Sequence, residues 1–176
     1  YTLGAALPKG GQEYIVTIAR RDVIEEYEQA CAAAGAQAGL IDLATFGLTT
    51  FMLAPLTPDA SDPSVGEWLI VHIFGNCGSA VIIQDGDLVF FRNRHINSEE
   101  DLRDLVHQTT MYYEDRLEGT SFSKVMLAGF GTNGNGGGNQ DLVSPKRVLE
   151  DYFKRPVETI NLIQNAILDN GVAKNP

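Results

Sequence analysis

Residues 68–92 carry the sequence WLIVHIFGNCGSAVIIQDGDLVFFR, in which three apolar, β-branched runs are separated by two short turns. The runs predict strands at Trp68–Phe74, Ser79–Gln84 and Asp87–Arg92. Asp85-Gly86, between the last two runs, suits a type I′ hairpin, because both central residues of that turn need positive φ angles. Since only antiparallel strands can be joined so tightly, we expect a three-stranded antiparallel meander.

After the meander the pattern alternates between helix and strand. A long helix is predicted from Ser98 to Glu118, followed by a strand at Ser123–Ala128, a helix at Leu142–Phe153 and a strand at Pro156–Ile160. The apolar stripe of the long helix consists of Leu102, Leu105, Val106, Thr109, Tyr113 and Leu117. The order β-β-β-α-β-α-β predicts an α/β, ribonuclease H-like or actin-like fold, with a mixed sheet whose meander is followed by β-α units.

The segment before the meander predicts a smaller β-α-β-α unit. Its first 12 residues are rich in Gly and Pro and predict an irregular opening, after which Glu13–Ala19 alternates like a strand. An amphipathic helix is indicated by Val23, Ile24, Tyr27, Ala30, Cys31 and Ala34. Gly35 would end this helix, a short apolar strand is predicted at Gly39–Leu43, and a second helix at Ala44–Leu53.

A proline-rich linker separates the two parts. Residues 54–67 hold Pro55, Pro58 and Pro63 among Thr, Ser and Asp residues, a composition that is incompatible with a helix. We therefore expect one unit at residues 1–53 and a second at residues 68–176.

Composition and charge restrict the function. The 176 residues include 13 Lys+Arg against 23 Asp+Glu, a net charge of −10, which argues against binding to a nucleic-acid backbone. Cys31 and Cys77 are the only cysteines, so a reducing cytoplasm is expected and zinc-finger spacings are excluded. The longest apolar run, Trp68–Phe74, is far shorter than the roughly 20 residues of a membrane-spanning helix. Because the chain begins at Tyr1 rather than Met, we expect it to be a piece of a longer protein.

A glycine-rich segment follows the strand at Ser123–Ala128. Residues 129–134 match the pattern G-x-G-x-x-G of dinucleotide-binding loops. Two features count against a Rossmann site: the sheet begins with antiparallel hairpins, and the glycine run continues to Gly138. No Lys-Ser/Thr pair follows, which excludes a Walker loop. A mobile surface loop and a nucleotide-facing loop of an actin-like cleft both remain open, and Gly129 and Gly131 are the candidate nucleotide-contacting residues.

The turn at residues 75–78 is the second candidate, because such a turn can point successive backbone N–H groups at a phosphate. Its candidate cofactor-binding residues are Gly75, Asn76 and Gly78. A catalytic version would place an acidic Mg²⁺ ligand on the preceding strand, where this chain has His72. Imidazole is a poor substitute for that carboxylate, so a hydrogen-bonded histidine inside the sheet is the other interpretation. Cys77 is either a nucleophile or an inert, half-buried thiol, and no catalytic residue or metal ligand is assigned.

Two arginines end the third strand. Arg92 and Arg94 lie two residues apart and therefore on one face, where they suit an anion or a partner carboxylate, or form a solvated strand end. On the following helix, Tyr112 and Tyr113 are expected to supply one core ring and one rim ring.

Several segments carry a family resemblance. They are Val23–Tyr27 with Ala34-Gly35, Leu40–Phe46, Trp68–Ile96, Val125–Gly131 and Tyr152–Glu158. A helix, an Ala-Gly turn, a short strand, and an Asp followed by a Phe precede a strand–glycine-turn–strand–hairpin block. A glycine loop and a closing Pro-Val-Glu segment come last. This order resembles the PilM family of type IV pilus inner-membrane platform proteins.

The resemblance implies an actin-like fold related to that of FtsA. It would make residues 1–53 the end of subdomain 1 and residues 68–176 subdomain 2. It also implies a cytoplasmic scaffold, peripheral to the inner membrane, that docks through the N-terminal tail of a PilN-like partner; a homodimer is a further possibility.

The chain departs from the family pattern at three places. His72 stands for an Asp, Ala128-Gly129 for paired glycines, and Asn161-Leu162 for a closing Asn-Pro. Each change weakens a nucleotide contact, so we expect a non-catalytic scaffold that does not hydrolyse ATP, while binding of ATP and Mg²⁺ stays open. The alternatives are an actin-like ATPase or sugar-kinase relative whose catalytic residues lie partly in a missing N-terminal half, and a plain dimerisation domain.

Overall fold

The chain divides into two compact units, Tyr1–Ala60 and Ser61–Pro176. The computed structural model describes residues 2–6, 12–16, 18–53, 66–130 and 142–160. Most of the predicted linker, the glycine run from Gly131 onward and the Asn161-Leu162 pair lie outside these ranges. The assignment of the units to actin-like subdomains 1 and 2 stays a prediction.

The described residues of the first unit form two strands and two helices. They are β1 (Thr2–Ala6), β2 (Gln12–Ile15), α1 (Arg21–Ala33) and α2 (Ala44–Leu53). The strands pair antiparallel, with Thr2 opposite Ile15. Strand β1 therefore forms in the opening that its Gly and Pro content predicted to be irregular.

Two further predictions for this unit are corrected by the structure. The predicted strand at Gly39–Leu43 does not form; this segment is irregular, and no strand among the described residues pairs with it. Its apolar side chains are exposed, Leu40 to 85%. An apolar run becomes a strand only where a neighbour takes up its backbone groups. The strand predicted at Glu13–Ala19 likewise ends at Ile15.

Helix α1 does not bury its apolar stripe. None of its residues is buried, and Val23 and Tyr27 are 40% and 62% exposed. The 3.6-residue period predicted the helix correctly, because amphipathic patterning reports which residues share a face. It does not report what covers that face.

The second unit is built on a five-stranded mixed sheet. Its elements are β3 (Trp68–Phe74), β4 (Cys77–Gln84), β5 (Asp87–His95), α3 (Glu99–Arg116), β6 (Lys124–Phe130), α4 (Val143–Phe153) and β7 (Glu158–Thr159). The strand order is β5-β4-β3-β6-β7; β3, β4 and β5 pair antiparallel, while β6 pairs parallel with both β3 and β7. The predicted order β-β-β-α-β-α-β and the mixed sheet are confirmed.

Both hairpins of the meander use two-residue turns. Asp85 and Gly86 have φ angles of 52° and 87°, as the predicted type I′ turn requires. The first turn is tighter than predicted: Phe74 pairs with Cys77, so only two residues lie between the strands and Gly78 belongs to β4. Gly75 begins this turn with a φ of 61°.

Helices α3 and α4 pack on the same face of the sheet. The shared core includes Leu69, Val71, Ala80, Ile82, Leu102, Leu105, Val106, Tyr113, Val125, Leu127, Val148 and Leu149. Each fully buried aliphatic side chain contributes about 1.5–3 kcal/mol relative to an exposed one. Ile70 and Val81, which point to the opposite face, are also fully buried. A sheet buried on both faces is typical of α/β proteins.

Helix α3 begins with a capping box. The Ser98 hydroxyl accepts a hydrogen bond from the Asp101 N–H, and the Asp101 carboxylate accepts from the Ser98 N–H in return. The predicted stripe is buried from Leu102 to Tyr113, whereas Leu117 lies just beyond the helix and is half-buried. The two tyrosines divide as predicted, with Tyr113 1% and Tyr112 37% exposed. Helix α3 therefore covers one face of the sheet with its buried side chains and leaves the Tyr112 ring partly exposed to solvent.

Candidate functional site

The two candidate glycine segments lie at the same end of the sheet, where the carboxyl ends of β3 and β6 are neighbours. Strands β3 and β6 run parallel in register, with Ile73 beside Gly129 and Phe74 beside Phe130. The turn that starts at Gly75 therefore begins where β6 also ends. In open α/β sheets, ligands bind outside the carboxyl ends of parallel strands. The structure brings Gly75, Asn76, Gly78 and Gly129 together there, whereas Gly131 lies outside the described residues.

Packing leaves no room for a side chain at Gly78. A Cβ at this position would lie 2.5 Å from Ile96 Cγ1 and 3.2 Å from Leu105 Cδ2. Gly78 also pairs with Ile73 on one side and with Arg94 on the other, inside the sheet ladder. The need for glycine here thus has a structural cause that involves no ligand.

Gly129 has a similar constraint. An added Cβ would lie 2.4 Å from the Ile73 carbonyl oxygen and 3.1 Å from Leu142 Cδ2. Since the nearest atom belongs to the backbone of the neighbouring strand, a rotamer change cannot relieve the overlap. Close strand packing accounts for this glycine without a phosphate.

The turn itself is closed by local hydrogen bonds. The Asn76 carbonyl accepts a hydrogen bond from the Ile96 N–H at 2.8 Å, which ties the turn to the end of β5. The Cys77 thiol lies 3.9 Å from the Asn76 side-chain oxygen and is half-buried. His95 is the cross-strand neighbour of Cys77 in β5.

His72 occupies the place where a catalytic relative would hold an acidic metal ligand. Its side chain is 5% exposed, and its neighbours in the sheet are Ser79 on β4 and Ala128 on β6. Burial lowers the pKa of His72, which keeps the imidazole neutral near pH 7. A neutral nitrogen donor supplies none of the negative charge that Mg²⁺ requires. Across the described ranges, no group of three or more His, Cys, Asp or Glu side chains could hold a metal.

A polar row crosses the meander at the level of His72. Ser79 stands opposite His72, and the Ser79 hydroxyl accepts a hydrogen bond of 2.8 Å from the Asn93 side-chain amide. Sequence reasoning missed Ser79 and Asn93. Counting outward from the Asp85-Gly86 turn would place Arg92 opposite Ser79. The register shift between Ile82 and Ile83 places Asn93 there instead, so the sequence pattern alone did not predict this pair.

The sequence matches no family model and no curated protein. Among solved structures, a PilM-PilN type IV pilus biogenesis complex matches with a TM-score of 0.54 and 18% identity. That match covers 81% of this chain and 48% of the other, so the chain spans about half the length of the relative. This likeness, together with the sheet order, confirms the predicted actin-like fold.

Two further structures match over shorter stretches. A Bacteroides thetaiotaomicron protein with an actin-like ATPase fold matches with a TM-score of 0.40 and 14% identity, over 69% of this chain and 44% of that one. The PPX-GPPA enzyme of Aquifex aeolicus matches with a TM-score of 0.34 and 16% identity, over 54% and 36%. Within the described part of the chain, no helix combines the length and the apolar character needed to cross a membrane.

Proposed function

We propose that this chain is a non-catalytic actin-like scaffold of a type IV pilus or related secretion platform at the inner membrane. It works through protein–protein contacts on the cytoplasmic side and reaches the membrane through its partners. The proposal rests on the PilM-like fold and, above all, on the neutral, buried His72 at the metal side of the candidate cleft.

The glycines at the sheet edge support the same proposal. Gly78 and Gly129 are explained by the side chain of Ile96 and the backbone of Ile73, respectively. Glycines that pack an interior persist in a scaffold that has no nucleotide, so their presence does not require an ATP site.

The partner in this proposal is a PilN-like N-terminal tail with basic residues. The chain carries a net charge of −10, and complementary charge both speeds encounter and disfavours like-charged competitors. The complex of PilM with PilN in the solved structure motivates the choice of partner class.

Calorimetry with ATP and Mg²⁺ on the full-length protein tests the non-catalytic role. We expect no binding tighter than the millimolar range, and heat in the micromolar range would contradict the proposal. A pull-down with a basic tail peptide tests the partner, with a peptide whose Lys and Arg are replaced by Gln as the control. Equal capture of both peptides would contradict a charge-matched tail.

The rival proposal is an actin-like ATPase or sugar-kinase relative. One observation favours it: the Gly75 turn and the end of β6 lie side by side at the carboxyl ends of parallel strands, which is where such a fold would hold phosphates. Phosphate release from ATP by the full-length protein, above a buffer blank, would favour the enzyme over the scaffold.

A further inference from the structure

Strand β5 (Asp87–His95) forms an open edge of the sheet. It pairs with β4 on one side, and no strand among the described residues pairs with its other side. The register shifts once, where Ile82 faces Phe90 but Ile83 faces Leu88, and is regular from Phe90 to His95. A regular edge of this kind presents a row of backbone N–H and C=O groups that can pair with another extended chain.

The helix side of this edge is preorganised. The Phe90 ring stacks on Tyr112 of α3 with ring centroids 4.4 Å apart. The Arg92 guanidinium lies 5.3 Å from the centroid of the Phe90 ring, and its Nη1 donates a hydrogen bond of 3.2 Å to Gln108 Oε1. A guanidinium held in this way loses little conformational freedom when it binds a carboxylate.

The edge is also basic within an acidic chain. Arg92 and Arg94 project from alternate positions of β5, and neither makes an ion pair within the described part of the chain, although the net charge is −10. Arg94 acts on the carboxylate of Asp101, but only weakly. The pKa of Asp101 is lowered chiefly by the hydrogen bond from the Asn97 N–H, then by those from Ser98, and least by the charge of Arg94. Asp101 is therefore committed to the helix cap.

Pairing of β5 with a second copy of itself is disfavoured by this charge pattern. A two-fold axis at Arg92 would place Arg92 opposite Arg92, and an axis at Asn93 would place Arg92 opposite Arg94. Like charges directly opposite each other destabilise a strand pair. An axis at Phe91 avoids opposing arginines, but the strand pair would then include Val89, where the register between β4 and β5 shifts.

We propose that the β5 edge from Phe90 to His95 takes up an extended acidic segment of a partner protein as a sixth strand. Carboxylates two residues apart in that segment would face Arg92 and Arg94, which lie on the same face of the sheet as the Phe90–Tyr112 stack. The backbone supplies the pairing, and the arginines supply the selectivity for acidic partners. This surface is distinct from the basic-tail partner of the proposed function and does not depend on it.

Fluorescence anisotropy with labelled peptides tests the proposal on the full chain. The probe is an eight-residue peptide that alternates Glu and Val, and the comparison peptides alternate Lys and Val or carry the same residues in two blocks. We expect the alternating acidic peptide to bind at least tenfold more tightly than either comparison peptide. A probe with N-methyl groups on one backbone edge should lose binding, because that edge can no longer pair.

Variants then locate the site. The double variant Arg92→Glu with Arg94→Glu should lose at least tenfold in affinity for the acidic peptide. Arg147→Glu on α4, an exposed arginine, serves as the control for reversal of a surface charge and should change binding less than twofold. In the unmodified chain, the acidic peptide should also slow hydrogen exchange across residues 90–95, which keeps the test valid if the double variant is unstable.

Three outcomes would overturn the proposal. The first is equal binding of the blocked and alternating acidic peptides, since this would mean that only charge is read. The second is unchanged exchange in β5 with the peptide bound. The third is a concentration-dependent dimer that the double variant abolishes, since this would make a second copy the occupant.

Discussion

Gly129 lies beside Ile73 in the parallel register of β6 and β3, so closely that an added Cβ would be 2.4 Å from the Ile73 carbonyl oxygen. Gly129→Ala should therefore force the two strands apart and lower the free energy of unfolding by about 1–3 kcal/mol. Urea denaturation followed by circular dichroism measures this change.

Gly47→Ala is the matched control for that experiment. Gly47 lies inside α2, and a Cβ there would meet nothing within 4 Å. Alanine also favours a helix over glycine by roughly 0.5–1 kcal/mol, so this variant should be neutral or stabilised. Equal destabilisation by both substitutions would refute the packing explanation for Gly129.

The buried His72 should make stability depend on pH. Burial lowers the pKa of His72 in the folded chain, whereas the unfolded value is about 6.5. Between these values the unfolded chain binds more protons, so stability is fully present above pH ~6.5 and falls as the pH drops through the lowered pKa. Urea midpoints measured from pH 7.5 to pH 5 should decrease accordingly.

His72→Gln should flatten this pH dependence, because it removes the titrating group. His107→Gln is the control: His107 is exposed and bonded to the Tyr152 hydroxyl at 3.1 Å, and its removal should leave most of the slope in place. A slope that survives in His72→Gln would assign the effect to other groups.

Tyr113 should contribute a hydrogen bond as well as a ring to the core. Its hydroxyl donates to a Glu67 carboxylate oxygen and lies 3.3 Å from the Ser121 carbonyl oxygen, while its ring stacks on Phe122. Tyr113→Phe keeps the ring and should lower the free energy of unfolding by about 1–3 kcal/mol, as expected for a bond to a charged acceptor. Chemical denaturation measures the loss, and Tyr112→Phe at the exposed rim should change stability by less than about 0.5 kcal/mol.

The capping box of α3 should stabilise the helix independently of the core. Ser98→Ala removes the acceptor for the Asp101 N–H and should lower the free energy of unfolding by about 1 kcal/mol. Ser98→Asp retains an acceptor and should recover most of the loss. Hydrogen exchange in the first turn of α3 provides the local measurement, and unchanged exchange in Ser98→Ala would contradict the cap.

Most of the second unit could be predicted because its information is local. The turn dipeptide Asp85-Gly86 fixes the hairpin and the 3.6-residue stripe fixes α3, and both depend on nearest neighbours in sequence. The apolar run at Gly39–Leu43 carried the same local signal, but no strand in the described structure pairs with it. Strand formation depends on partners that sequence pattern alone does not supply.

The candidate site was only partly accessible from sequence. The glycines of the Gly75 turn and of the β6 end were chosen by composition, and the parallel register then placed them at one edge. Two reasons for glycine were not accessible: the side chain of Ile96 over Gly78 and the carbonyl of Ile73 beside Gly129. Both are contacts between residues far apart in the chain, and no periodicity encodes them. Whether any of these residues binds a nucleotide stays a prediction.

The two-residue turns of the meander also have a consequence for the order of folding. Each hairpin closes a very short loop, whereas the pairing of β3 with β6 closes a long loop that contains β4, β5 and α3. Short closures cost less entropy and form faster, so β3–β4–β5 should be the earliest assembled piece of the sheet. We therefore expect Gly86→Ala to slow folding, and Gly129→Ala mainly to speed unfolding.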